Sequence, residues 1–168
     1  SFTLSLLNNS FDLHLSPFRI FGYASELGSD CSFFLLNKPC FATGRGESME
    51  VIKLSLSDYK ILLINPGIHI NTKEIFSEIT PSIPAKKIKE ITLQPVETWK
   101  NELVNDFEKI VFAKYESIKK IKEKLYDHQA VYASMTGTGS TVFGMFRENE
   151  DINFPVEKEY FHKWIDLQ

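Results

Sequence analysis

Along the chain, stretches with apolar residues three or four positions apart give way to short apolar or alternating runs, and the two spacings predict different elements. Phe2 and Leu6, with Leu4 and Leu7, have helical spacing and end at Asn8-Asn9-Ser10, which predicts the tail of a helix over residues 3–9. Ser16-Pro17 reads as a helix start, with a serine N-cap and a proline at the first helical position, where its missing N–H leaves no bond unmade. Ile20, Phe21, Ala24 and Leu27 form the apolar stripe of that helix, and Gly28 stops it.

Shorter runs follow. Residues 32–36, 40–43 and 50–56 are predicted strands, parted by Asn37-Lys38-Pro39 and Gly44-Arg45-Gly46. Residues 59–64 form a buried strand closed by Asn65-Pro66-Gly67. Thr72 is expected to cap a short helix over 73–79, and Pro81 and Pro84 mark a loop. From Val96 to Leu125 the pattern is helical, first through Leu103, Phe107, Ile110 and Val111, then through Ile118, Ile121 and Leu125. The lysines at 119, 120, 122 and 124 are expected to face solvent. A strand over 130–134, a glycine-rich turn at 136–140, a strand over 141–146 and a closing helix over 160–167 complete the reading. Helices and strands mixed in this order predict an α+β fold with a seam near residues 55–60.

Composition narrows the classes. The chain has 168 residues, 43% of them hydrophobic and 14 of them Phe, enough for a sizeable core. A formal net charge of −3 argues against a nucleic-acid partner, which needs a basic footprint. No apolar run approaches the ~20 residues of a membrane-spanning helix, so no membrane partner is expected. Cys31 and Cys40 are too few for a disulfide scaffold and point to a reduced, cytoplasmic protein. The histidines at 14, 69, 128 and 162 lack metal-ligand spacing, so no metal site is expected.

Four segments could carry chemistry. In Leu27-Gly28-Ser29-Asp30-Cys31-Ser32-Phe33-Phe34, Asp30 sits between a helix end and a predicted apolar strand, partly desolvated. It either anchors a turn or accepts a hydroxyl proton. In Met135-Thr136-Gly137-Thr138-Gly139-Ser140, alternate glycines make either a plain hairpin turn or a close backbone approach to an anion. That run is neither a P-loop nor a dinucleotide fingerprint. The stretch from Asn65-Pro66-Gly67 to Phe76 is a strand exit into a helix, and Asn105-Asp106 are weak helix formers inside a helical pattern.

Taken in order, these segments resemble the C-terminal part of the GHMP kinases, and best the erythritol-derivative branch. That branch carries approximately Leu-Gly-Ala-Asp-Val-Pro-Phe-Phe, met here at Leu27–Phe34, followed by a Gly-x-Gly-Glu hairpin, met at Gly44–Glu47. Its Pro, Thr and Phe/Tyr positions correspond to Pro66, Thr72 and Phe76, its Asn-Asp pair to Asn105-Asp106, and its glycine motif to Met135 through Gly139. The resemblance covers residues 1–146, and Ser32 departs from it where proline is usual.

The resemblance implies the remainder of an N-terminal, ATP-binding α/β domain over residues 1–57 and a ferredoxin-like C-terminal domain over 58–168. It implies transfer of the ATP γ-phosphoryl group, with Mg²⁺, to the 2-hydroxyl of a small-molecule substrate, 4-diphosphocytidyl-2-C-methyl-D-erythritol. Asp30 would be the catalytic residue, and Thr72, Phe76, Gly137, Thr138 and Gly139 would contact substrate. The family's main phosphate loop would lie upstream of Ser1, which assigns no nucleotide-binding residue to this chain and makes it inactive alone. A homodimer stays open. Homoserine, mevalonate and sugar kinases of the same family, and a non-catalytic α+β interaction module, are the alternatives.

Overall fold

The computed structural model describes every residue except Ser29, Glu47, Ser82, Ala85 and Gln168. The expectations that touch Ser29 in the aspartate motif and Glu47 in the hairpin motif therefore lie outside the described residues. The chain divides into two compact units, Ser1–Leu54 and Ser55–Gln168.

The first unit has three helices, α1 (Phe2–Ser10), α2 (Pro17–Leu27) and α3 (Cys31–Leu36), and a hairpin of β1 (Cys40–Thr43) and β2 (Ser48–Val51). The α2 start is built as its sequence requires: Ser16 Oγ accepts the Arg19 N–H at 3.4 Å and Pro17 opens the helix. Residues 32–36 are helical, not the expected strand. Cys-Ser-Phe-Phe-Leu-Leu has no β-branched residue, and Asn37, left-handed at φ 45° and ψ 43°, closes the helix. Strand β2 ends at Val51, earlier than expected. Cys31 and Cys40 are free thiols, each partly buried.

The second unit is a four-stranded antiparallel sheet with helices against it. Its strands are β3 (Tyr59–Asn65), β4 (Tyr132–Met135), β5 (Val142–Arg147) and β6 (Phe161–Asp166), in the spatial order β4-β5-β3-β6. Counted within the unit, that is the 4-1-3-2 order of a ferredoxin-like sheet, reached here through an irregular 148–160 connection in place of a second helix. The central register pairs Tyr59 with Arg147 and Ile64 with Val142.

Between β3 and β4 run α4 (Thr72–Glu78), α5 (Ile88–Thr92), a 3₁₀ turn (Val96–Asn101), α6 (Glu108–Lys114) and α7 (Glu116–Asp127). The α7 stripe, Ile118, Ile121 and Leu125, is buried against the sheet with Leu62, Ile64, Val142 and Phe146. A side chain at Gly144 would put its Cβ 2.8 Å from Leu125 Cδ2, so this glycine lets the helix lie close on the strand.

Residues 160–167 contain strand β6, not the expected closing helix. Phe161-His162-Lys163-Trp164-Ile165-Asp166 is rich in aromatic residues with a β-branched Ile165, and it pairs with β3 from Lys60 to Asn65. Trp164 packs on Phe146 with ring centroids 5.3 Å apart. Among the described residues, no helix is long and apolar enough to cross a membrane.

Candidate functional site

The glycine-rich turn of the second unit gathers three of the four segments marked in the sequence. It leaves β4 at Met135 and returns into β5 at Val142, closed by Thr136 N–H donating to Thr141 O and Gly139 N–H donating to Thr136 O, both at 2.9 Å. Gly137 and Gly139 have φ of +50° and +94°, conformations that favour glycine. A Cβ on Gly139 would lie 2.7 Å from Ile70 Cδ1 and 2.9 Å from Met135 Sδ, whereas one on Gly137 would meet nothing within 4 Å. Gly139 thus seats the turn on the protein and Gly137 leaves its outer side open. Among the described residues, the N–H groups of Gly137 and Thr138 have no hydrogen-bond partner and are free to donate.

The β3 exit reaches the turn from one side. Asn65 Oδ1 accepts the Gly67 N–H at 2.7 Å and its Nδ2 donates to Thr141 Oγ1 at 2.8 Å, tying the strand end to the turn. The N-cap of α4 is Asn71, not Thr72. Its Oδ1 accepts the Lys73 and Glu74 N–H groups, an acceptor that sequence reading missed although Asn caps helices at least as well as Thr. Thr72, the first helical residue, therefore keeps its hydroxyl, which lies 3.1 Å from Thr138 Oγ1. Phe76, one turn on, is 57% exposed and its ring meets that of Phe107 at a tilt of 60°, with centroids 4.8 Å apart.

Asn105 approaches from the other side. It lies in the loop before α6, not inside a helix as the pattern suggested, because its Oδ1 accepts the Phe107 N–H and starts a turn. Its Nδ2 donates at 2.8 Å to both Met135 O and Gly137 O. Asp106 is exposed and turns away to line an open pocket of about 480 Å³ with Lys109 and Lys114.

Strand β4 is a sheet edge, yet its outward backbone groups are met by side chains. Tyr126 Oη donates to Ala133 O and accepts the Ala133 N–H, and Glu108 Oε1 accepts the Met135 N–H at 2.8 Å. Lys122, expected in solvent, instead donates from Nζ to Glu108 Oε2 at 2.5 Å. Burial pushes the Tyr132 phenol up to about 12, and its hydroxyl donates to Leu103 O. Sequence reading missed Glu108, Lys122 and Tyr126. The Asn-Asp-x-Glu spacing, which puts Glu108 in the first turn of α6, was the available signal.

Asp30 belongs to the first unit. It directly precedes α3 and is exposed, without the desolvation expected of it, because the segment after it is a helix rather than a buried strand. Its carboxylate makes no helix-capping bond, and it lines a depression of about 380 Å³ with Phe33, Phe34, Cys40, Ala42, Gly46 and Met49. Among the described residues, no group of three or more His, Cys, Asp or Glu side chains could hold a metal ion.

Residues 86–154 match the family model described as GHMP kinases C terminal. The chain is 46% identical over 152 residues to a 4-diphosphocytidyl-2-C-methyl-D-erythritol kinase of Bacteroides fragilis, covering 90% of this chain and 56% of the relative. It is 36% identical over 169 residues to the kinase of the same name from Porphyromonas gingivalis, covering 99% and 61%. This chain spans little more than half the length of these relatives. Among solved structures, a 4-(cytidine 5'-diphospho)-2C-methyl-D-erythritol kinase superposes with a TM-score of 0.64 at 22% identity, over 83% of this chain and 51% of that one. A homoserine kinase from Cytophaga hutchinsonii superposes at 0.51 and 13% identity, over 96% and 61%. At those identities the structures show the α+β fold alone. Residues 86–154 thus match the C-terminal domain of the GHMP kinases, and over most of its length the chain is similar to kinases of that family.

Proposed function

We propose that the full-length protein containing this chain is an ATP-dependent kinase. It phosphorylates the 2-hydroxyl of 4-diphosphocytidyl-2-C-methyl-D-erythritol in non-mevalonate isoprenoid precursor synthesis. One observation carries the reading: Thr72 and Asn105, distant in sequence, meet at a glycine turn whose Gly137 and Thr138 N–H groups stand free. Free successive amides at an open turn suit a phosphate or diphosphate oxygen. The choice of acceptor follows the relatives at 46% and 36% identity, which carry that substrate in their names.

Phosphoryl transfer of this kind has a loose transition state, so the protein mainly positions groups and stabilises charge. In this reading Asp30 orients the acceptor hydroxyl and takes its proton late in transfer. Gly137 and Thr138 donate N–H bonds to the acceptor's diphosphate, while Thr72 and Phe76 line its methylerythritol side. ATP supplies the transferred group, and no residue of this chain is assigned to hold it. Mg²⁺ belongs to the same proposal: among the described residues no group of three or more His, Cys, Asp or Glu side chains could hold a metal ion, so the ion would be held mainly by the ATP phosphates. Cytoplasmic residence and a homodimeric assembly belong to the same proposal.

The test is an acceptor panel with purified full-length protein and ATP: the diphosphocytidyl substrate, homoserine, mevalonate and galactose. The proposal expects kcat/KM for the first to exceed the others by about 10⁴-fold or more, as for a site built around polar groups that the others lack. Equal or better turnover of another acceptor, or none of any, refutes it.

A further inference from the structure

Glu108 is the one buried charged residue among the described residues, 4% exposed. A buried carboxylate is expensive unless paired, and replacing a buried ion pair with apolar residues is often neutral or stabilising. Stability alone therefore gives a poor account of the Glu108–Lys122 pair, whereas its geometry gives a better one. Glu108 Oε1 accepts the Met135 N–H at 2.8 Å and the Ser134 hydroxyl at 3.2 Å, and Lys122 Nζ holds Oε2 at 2.5 Å. Asn105 Nδ2 holds the carbonyl of the same Met135.

Met135 is the last residue before the glycine turn, and its Sδ sits 2.9 Å from where a Gly139 side chain would begin. The root of the turn is thus gripped on N–H and C=O at a sheet edge where no strand lies beyond it. A slack grip there would let the whole turn tilt.

We propose that Glu108, anchored by Lys122, is a positioning residue for phosphoryl transfer, fixing the direction in which the glycine turn presents Gly137 and Thr138. This rests on the turn being the substrate contact proposed above. Lys122 contributes by holding the carboxylate in one rotamer, and Asn105 acts with Glu108 through their shared residue.

The experiment measures kcat and KM in full-length Glu108→Ala, Glu108→Gln, Asn105→Ala and a core control, Ile118→Val, alongside melting temperatures. Glu108→Ala should lower kcat at least about tenfold, as a sub-ångström misplacement does, with both KM values within about threefold. Glu108→Gln keeps an oxygen acceptor for Met135 and should recover part of that loss. Ile118→Val, a buried residue under the sheet, should lower the melting temperature without lowering kcat. Asn105→Ala covers the case in which Glu108→Ala fails to fold, and should show the same kcat loss.

Wild-type kcat in folded Glu108→Ala or Asn105→Ala overturns the proposal, as does a rise in KM alone or a kcat that merely tracks melting temperature across all variants. Wild-type protein that does not phosphorylate the diphosphocytidyl acceptor instead overturns the functional reading beneath it.

Discussion

Gly139→Ala should be much more damaging than Gly137→Ala, although the two glycines are two residues apart in one turn. Both have positive φ, +94° and +50°. At Gly137 an added Cβ meets nothing within 4 Å and φ lies near the left-handed helical basin, so the cost is about 1 kcal/mol of backbone strain. At Gly139 the backbone is further from that basin, a strain of about 1–3 kcal/mol. The Cβ would also lie 2.7 Å from Ile70 Cδ1 and 2.9 Å from Met135 Sδ. Carbon atoms rest about 3.5–4.0 Å apart, so both neighbours must retreat by roughly 1 Å. They are side-chain ends and can give, which puts the overpacking at the low end of its usual range, about 1 kcal/mol. The total is about 2–4 kcal/mol, against about 1 for Gly137→Ala. At about 2–4 °C per kcal/mol, differential scanning fluorimetry of the full-length variants should show losses of roughly 5–15 °C for Gly139→Ala and about 2–4 °C for Gly137→Ala. Equal losses would refute the seating of the turn on Ile70 and Met135.

Asp30→Asn in the full-length protein should lower kcat by about 10²–10⁴-fold while KM for the acceptor stays within a few-fold, and steady-state kinetics showing wild-type turnover would remove Asp30 from the chemistry. Phe76→Ala removes a largely exposed ring, so melting should move little while KM for the acceptor rises; an unchanged KM would remove Phe76 from the acceptor side. Tyr132, held neutral by burial with its phenol at about 12 against 10 in an unfolded chain, binds its proton more tightly when folded. Stability is therefore undiminished by this group below pH 10 and falls as pH rises from 10 to about 12. Tyr132→Phe should flatten that fall in pH-dependent melting, and an unaltered slope would contradict the assignment. The Lys114 ammonium, raised above its ordinary value by its bonds to Glu74 and then Glu78, works in the same direction above pH 10. Lys114→Met should remove its share of the pH dependence.

The sequence was most legible where a local rule and burial agreed. The Ser16-Pro17 start, the strand at Tyr59 and the α7 stripe were all anticipated, because each buries a single face or uses a cap that acts within four residues. It was misleading where tertiary pairing decided. Phe161–Asp166 reads as either element alone and becomes a strand by joining β3. Cys31–Leu36 is too short for periodicity to separate helix from strand. At the turn, the glycines and Thr72 were visible as residue types, and the Asn105 motif as a resemblance. The support under them was not: a buried Glu108 paired with Lys122 on a later helix leaves no local pattern, and a lysine among lysines reads as solvent-facing.

In the proposed function the glycine turn of this unit meets the acceptor's diphosphate. Amide chemical shifts in ¹⁵N-labelled full-length protein test it most directly. Titration with 4-diphosphocytidyl-2-C-methyl-D-erythritol should move the Gly137 and Thr138 amide signals, and with them Asn105 Nδ2, in a saturable way. Saturable binding of that acceptor with Gly137 and Thr138 unmoved would contradict the account.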